Sequence, residues 1–218
     1  MPSLKNVARS ALLAICFATL AACSDQVPTR TGFLDNYSTL TARPLENGAT
    51  LLEAWTPNVD WSSYDRVFVE PVVLRIGENV PAGFTAADAS SLTARATNDL
   101  KTRLDRNYTP LSWPEAGSLT VKAAITGLDL SDPALNVLTA ALLFAPLDTG
   151  GVTVEIEVSD SGTGTILHRR VTAMNGEVHW VSGALSKTGQ ADRALDQIFL
   201  LLANDLTLRR AGRVVDGR

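Results

Sequence analysis

The stretch Val152-Thr153-Val154-Glu155-Ile156-Glu157-Val158-Ser159 decides the fold. β-Branched apolar residues alternate with polar ones over eight positions, the period of a strand with one face buried and one face wet. Leu119-Thr-Val-Lys-Ala-Ala-Ile-Thr126 repeats that alternation upstream. Downstream, the polar turn Asp160-Ser-Gly-Thr-Gly164 leads into Ile166–Ala173, so the two runs read as a hairpin. Strand character resumes at Glu177–Val181. Arg66-Val-Phe-Val-Glu-Pro-Val-Val-Leu74 is apolar on both alternating faces, as an interior strand reads. Pro71 has no N–H for a ladder, which predicts a bulge or an edge position there.

Two segments switch to the helical period. Thr85-Ala-Ala-Asp88 opens the first as a capping box, with Asp in the place usual for Glu or Gln. Leu92, Ala96, Leu100 and Leu104 then fall four apart on one stripe, predicting a helix to about Asn107. From Gln190 to about Arg210, Ala191, Ala194, Leu195, Ile198 and Leu202 form a second stripe. Asp205 and Arg209 are spaced to pair at i, i+4, and Gly212 stops the helix. This order predicts an α+β domain, a mainly antiparallel sheet of four to five strands with both helices packed on one face. Residues 32–212 read as that single domain, with 213–218 a frayed tail. Residues 32–62, broken by Pro44 and Pro57, have no sustained period and read as irregular chain. Trp55, Trp61 and Tyr64 are expected to pin that chain by packing rather than to gather a ligand.

The beginning of the chain reads differently. Lys5 and Arg9 precede an apolar run from Ser10 to Leu20, and Leu20-Ala21-Ala22 leads into Cys23. A positive start, a short apolar run and small residues before a cut describe an export signal. The run falls short of the roughly 20 apolar residues that a bilayer crossing needs. Leu-Ala-Ala-Cys closely resembles the bacterial lipobox. That resemblance implies cleavage after residue 22, a diacylglycerol on the Cys23 thiol and usually acylation of the new amino terminus. Residues 23–31 then form a lipidated, flexible tether. One acyl chain holds a protein marginally, at about 0.8 kcal/mol per buried CH₂, whereas two or three anchor it stably. By resemblance to the sorting rules of enteric bacteria, Ser24 lets the protein pass to the outer membrane, whereas aspartate in that place would retain it in the inner membrane. Asp25 stands one residue later.

Cleavage would remove Cys16 and lipid would consume Cys23, leaving no thiol for a disulfide, a zinc site or a nucleophile. Taking 22 residues and two positive charges from 218 residues and 19 basic side chains leaves 196 residues. Those carry 17 basic against 23 acidic groups, a formal charge of −6. With no basic cluster longer than Arg209-Arg210, nucleic acid is not an expected partner.

One segment fits neither period. Pro133-Ala-Leu-Asn-Val-Leu-Thr-Ala-Ala-Leu-Leu-Phe-Ala-Pro-Leu147 is almost uncharged and too short to span a membrane. Two readings stay open: a buried crossing that completes the core, or an apolar binding surface. In the second, Leu138, Leu142, Leu143 and Phe144 would receive a lipid tail, a partner or the membrane surface.

The chemistry-bearing residues do not assemble into a reaction. His168 shares an alternating face with Arg170, opposite Leu167 and Val171, and so reads as solvated. His179 reads likewise, opposite Val178 and Trp180. No His, Asp or Glu spacing suits a metal, and Asp129 and Asp132 lack the glycine of a calcium loop. Gly162-Thr-Gly164 lacks a third glycine, and Ser186-Lys187 lacks the two-residue gap of a serine–lysine acylase. No cofactor, metal or catalysis is expected.

Three further segments carry a resemblance: Thr31-Gly-Phe-Leu-Asp-Asn-Tyr-Ser-Thr-Leu40, Asp60-Trp-Ser-Ser-Tyr-Asp-Arg-Val-Phe-Val-Glu-Pro-Val72 and Glu157-Val-Ser-Asp-Ser-Gly-Thr-Gly164. Over residues 31–210 the chain resembles an uncharacterised family of proteobacterial lipoproteins, a domain-of-unknown-function group with a Gly-Phe-Leu-x-x-Tyr-Ser opening. The resemblance implies an exported lipoprotein and carries over no activity. The expected role is a non-catalytic adaptor on the periplasmic face of the outer membrane, bound to another envelope protein. The alternative is a lipid or apolar-ligand module using residues 133–147.

Overall fold

A computed structural model of the chain describes residues 31–45, 50–77, 80–130, 151–175 and 188–213. Eight strands and two helices lie among them: β1 Thr41–Pro44, β2 Thr50–Trp55, β3 Arg66–Val69, β4 Val73–Leu74, α1 Ala86–Leu104, β5 Thr109–Leu111, β6 Leu119–Asp129, β7 Gly151–Asp160, β8 Ile166–Asn175 and α2 Gly189–Arg210. The strands form one open sheet in the order β1-β2-β8-β7-β6-β3-β5, with β4 also paired to β6.

This is an α+β fold, but the sheet has eight strands rather than the expected four to five. Two of the additional strands, β1 and β2, come from the segment read as irregular, where prolines hide a short hairpin paired Thr41 to Glu53. The sheet is also mixed. β1, β2, β8, β7 and β6 are antiparallel neighbours, whereas β3 runs parallel to both β5 and β6, and β4 parallel to β6. The physical reason is α1, which returns the chain to the end from which it left; such a crossover yields parallel strands. Pro71 separates β3 from β4, and the ladder to β6 resumes with the Arg75 N–H on the Ile125 carbonyl at 2.8 Å. The outermost strands among the described residues, β1 and β5, each contain a proline, Pro44 and Pro110.

Both helices form where their stripes predict. Thr85 and Asp88 exchange capping-box hydrogen bonds, the Thr85 N–H donating to Asp88 Oδ2 at 2.9 Å and the Asp88 N–H to Thr85 Oγ1 at 3.2 Å. Leu92, Ala96, Leu100 and Leu104 are fully buried. On α2, Ala194, Leu195, Ile198, Phe199, Leu202 and Leu206 are buried in the same core. Each such large apolar side chain contributes about 1.5–3 kcal/mol by leaving water. The helices are clasped by Arg95 on Asp192 at 3.2 Å and by an Arg103–Asp196 pair.

Strand register shows what lies under the helices. Val121, Val158 and His168 stand side by side across β6, β7 and β8, followed by Ala123, Ile156 and Arg170, then Ile125, Val154 and Thr172. β2 continues these rows with Trp55, Glu53 and Leu51. The opposite rows carry Lys122, Glu157 and Arg169, then Ala124, Glu155 and Val171. Those positions are not simply wet: Glu155 is 0% exposed and Val171 1%. Gly127 marks a register shift in β6, and a Cβ there would stand 2.8 Å from Thr153 Oγ1.

Candidate functional site

A strap, residues 31–40, covers Glu155. The Thr31 N–H and hydroxyl donate to Glu155 Oε1 at 3.2 and 2.9 Å, and the Tyr37 hydroxyl donates to Oε2 at 2.5 Å. Tyr37 Oη in turn accepts from the N–H groups of Gly32 at 2.8 Å and Leu34 at 3.3 Å. Leu34 is 2% exposed, and Asn36 accepts from the Ser38 N–H to cap the short 3-10 turn at Tyr37–Thr39. The Gly-Phe-Leu-x-x-Tyr-Ser pattern therefore encodes a self-bonded loop whose tyrosine reaches a buried carboxylate. Glu155 has no cationic partner among the described residues. Its burial is supported by these hydrogen bonds, since an unpartnered buried carboxylate would be costly.

Beside the strap lies a cleft of about 380 Å³. Phe33, Asp35, Glu70, Arg75, Lys122 and Glu157 line it. Lys122 Nζ lies 3.8 Å from Glu70, and Arg169 Nε 3.6 Å from Glu157. Arg75 sits 5.6 Å over the Phe33 ring and makes no ion pair among the described residues. Burial raises the Glu157 pKa above its usual value, and Asp35 adds to this against the pull of Arg169 and Lys122. The lining thus holds three carboxylates and two cations at the mouth of a volume typical of small-ligand sites.

A second polar cluster is sealed under α2. Arg43 contacts Glu53 at 2.6 Å and Asp205 at 2.5 Å; Arg170 contacts Glu53 at 2.8 Å and also Asp205. Two guanidiniums meet two carboxylates, so the cluster is charge-balanced, and the Arg170 side chain is 1% exposed. Burial works against the Arg43 charge, but Asp205 and Glu53 raise its pKa overall. Asp205 is thereby taken by β1 and β8 instead of pairing with Arg209, as its spacing had suggested. Arg209 lies 4.5 Å over Trp55.

His168 belongs to the same layer, which corrects its reading as solvated. It is 1% exposed and stacked on Trp55, ring centroids 3.6 Å apart. Its Nδ1 lies 3.1 Å from the Ala54 carbonyl, which can only accept, so the proton is on Nδ1. Nε2 is buried without a partner. Burial, then Arg170, hold the imidazole well below its ordinary pKa of 6.5, keeping it neutral. The alternation identified its row correctly, but that row faces the helices.

Trp61 does pack, edge-on to Trp55 at 5.4 Å, and the Tyr64 hydroxyl donates to Asp160 Oδ2 at 2.9 Å. Cys23, Leu138, Leu142, Leu143, Phe144, Asp132, His179 and Ser186-Lys187 lie outside the described residues. Among the described residues no group of three or more His, Cys, Asp or Glu side chains could hold a metal ion, and no helix is long and apolar enough to cross a membrane. The strap–Glu155 contact and the cleft were not located by the sequence. The available signal was a pair of carboxylates, Glu155 and Glu157, on one face of a strand whose other face is apolar.

No curated protein matches the chain. Among solved structures it is similar to the PelC dodecamer from Paraburkholderia phytofirmans, at 12% identity and a TM-score of 0.40 over 69% of this chain and 94% of that one. It is similar to a DUF330 protein from Xanthomonas campestris, at 12% identity and 0.41 over 73% and 94%. A DUF4136 protein from Bacteroides thetaiotaomicron matches at 11% identity and 0.37 over 72% and 96%. The model of a family described as a protein of unknown function, DUF3313, matches residues 29–199. The chain belongs to the DUF3313 family.

Proposed function

We propose that this protein is a lipid-anchored, non-catalytic lipoprotein of the outer membrane's periplasmic face, serving as an adaptor for another envelope protein. The observation that carries the reading is Leu20-Ala21-Ala22-Cys23 at the end of a short, positively led apolar run. The strap supports it: eight residues beyond Cys23 the chain is fastened to the sheet through Thr31, so an anchor at Cys23 would hold the domain close to its membrane. The buried charges favour a structural role as well, because Arg43, Glu53, Arg170 and Asp205 are consumed by one another. Trp113, 64% exposed between β5 and β6, offers a large aromatic surface of the kind that anchors interfaces.

Labelled palmitate should enter the wild-type chain and not the Cys23→Ser form, and only the wild type should fractionate with outer membrane. Equal fractionation of both would remove the anchor from the proposal. A photo-crosslinker at position 113 in intact cells should capture one recurrent envelope protein; the adaptor role fails if no recurrent product forms.

A further inference from the structure

We infer that the cleft between the strap and β6–β7 is a subsite for the headgroup of a zwitterionic phospholipid, its ammonium toward Asp35, Glu70 and Glu157 and its phosphate toward Arg75. This rests on Cys23 as the lipid anchor for the source of the ligand, and on the cleft itself for its chemistry.

The lining asks for both signs of charge. Asp35 is exposed and without an ion pair among the described residues, and Glu157 is half-buried in the lining. Lys122 lies within reach of Glu70 and Arg169 within reach of Glu157, which leaves Asp35 as the lining carboxylate without a cation among the described residues. An ammonium group would supply the cation that Asp35 lacks, with Glu70 and Glu157 lining the same cleft. Arg75 stands over Phe33 with its guanidinium unclaimed by any carboxylate among the described residues, in a form suited to phosphate oxygens. A purely anionic headgroup would leave Asp35 without a cation, and the mature chain repels it with its formal −6.

Chain length selects a membrane lipid over a free solute. Thr31 is bonded to Glu155, and Glu157, two residues on along β7, faces the cleft on the same side of the sheet. That separation is about 7 Å. Eight residues span at most about 29 Å, so the anchor point cannot lie farther than that from Thr31. The strap therefore delivers the cleft's side of the sheet to the membrane. The helix-covered side is farther from the anchor, beyond the sheet and a helix packed on it.

The test uses the mature, lipidated chain in neutral detergent micelles, titrated with dihexanoyl phosphoethanolamine below its micelle concentration and followed by isothermal calorimetry. Parallel titrations use dihexanoyl phosphoglycerol and ethanolamine. Saturable binding of the phosphoethanolamine alone is expected. In the Asp35→Asn/Arg75→Gln variant, affinity should fall about tenfold or more, since each charge-assisted hydrogen bond lost is worth about that factor. Both residues are exposed; an unchanged circular dichroism spectrum and thermal midpoint would establish that the variant is folded. No saturable binding, equal binding of the phosphoglycerol, equal binding of free ethanolamine, or a folded variant that binds as well as wild type would each overturn the proposal. Failure here leaves the palmitate result standing; and because the cleft's lining lies between Phe33 and Glu157, the same titration on the Cys23→Ser chain reads the cleft if the palmitate result fails.

Discussion

The two faces of the sheet are closed in different ways. One is covered by α1 and α2, which bury a continuous apolar core and, at its β1–β2–β8 end, a four-membered ionic cluster. The other is closed over Glu155 by a ten-residue strap held through Thr31, Leu34 and Tyr37, with a charged cleft beside it. Helices cover a face cooperatively, through many weak contacts. A strap does so through a few strong ones, so the second face should yield to single substitutions that spare the first.

The largest effect is expected on the helix-covered face. Arg170→Met leaves Glu53 and Asp205 sharing Arg43 in a buried site, and breaking a buried pair costs about 3–5 kcal/mol. Urea unfolding should show this as a lowered midpoint with an unchanged slope; a loss below about 1 kcal/mol would mean the cluster is not structurally important. Tyr37→Phe breaks the other side. It removes the hydrogen bond to Glu155 and strands the Gly32 and Leu34 N–H groups, for a loss of about 1–3 kcal/mol. Hydrogen exchange should accelerate at Leu34 and along β7 while α1 and α2 keep their protection. If helix and strap amides lose protection equally, the two faces do not open separately.

How much of this the sequence revealed follows from the same contrast. Helix stripes such as Leu92–Leu104 were readable because a helix buries one side, so period and burial coincide. Strand alternation in β6 and β7 also placed its rows correctly, but alternation tells which residues share a face, not whether the other face is dry. Here both are. In β8 the alternation marks Leu167 and Val171 as buried, but His168 and Arg170 are buried too, made tolerable by Trp55, Glu53 and Asp205. That pairing joins residues up to 117 positions apart and leaves no local period. The strap was quotable as a motif, but its target, Glu155, lies 118 residues from Tyr37.

Two smaller measurements sharpen the comparison. His168 has a folded pKa below its unfolded value, so below pH 6.5 the unfolded chain binds the proton that the folded one refuses. Stability should therefore fall as pH drops from 6.5 toward the folded pKa, by at most about 1.4 kcal/mol per unit. Comparing unfolding midpoints at pH 7.5 and 5.5 tests this, and His168→Asn should remove much of the difference; an unaltered slope would assign it to other groups. Thr85→Ala removes the capping box and should cost about 1 kcal/mol, confined to the helix-covered face. Exchange of the first turn of α1 should rise while Leu34 is unaffected, and a change at Leu34 would show that the faces communicate.

Pro44 and Pro110 sit on the outermost strands of the sheet among the described residues. The proposed anchor at Cys23 would confine neighbouring copies to two dimensions, where lateral collisions are frequent and bare strand edges invite growth of one sheet onto the next. A missing donor at each border interrupts that templating. A crowded population can then remain a lawn of separate molecules rather than a ribbon.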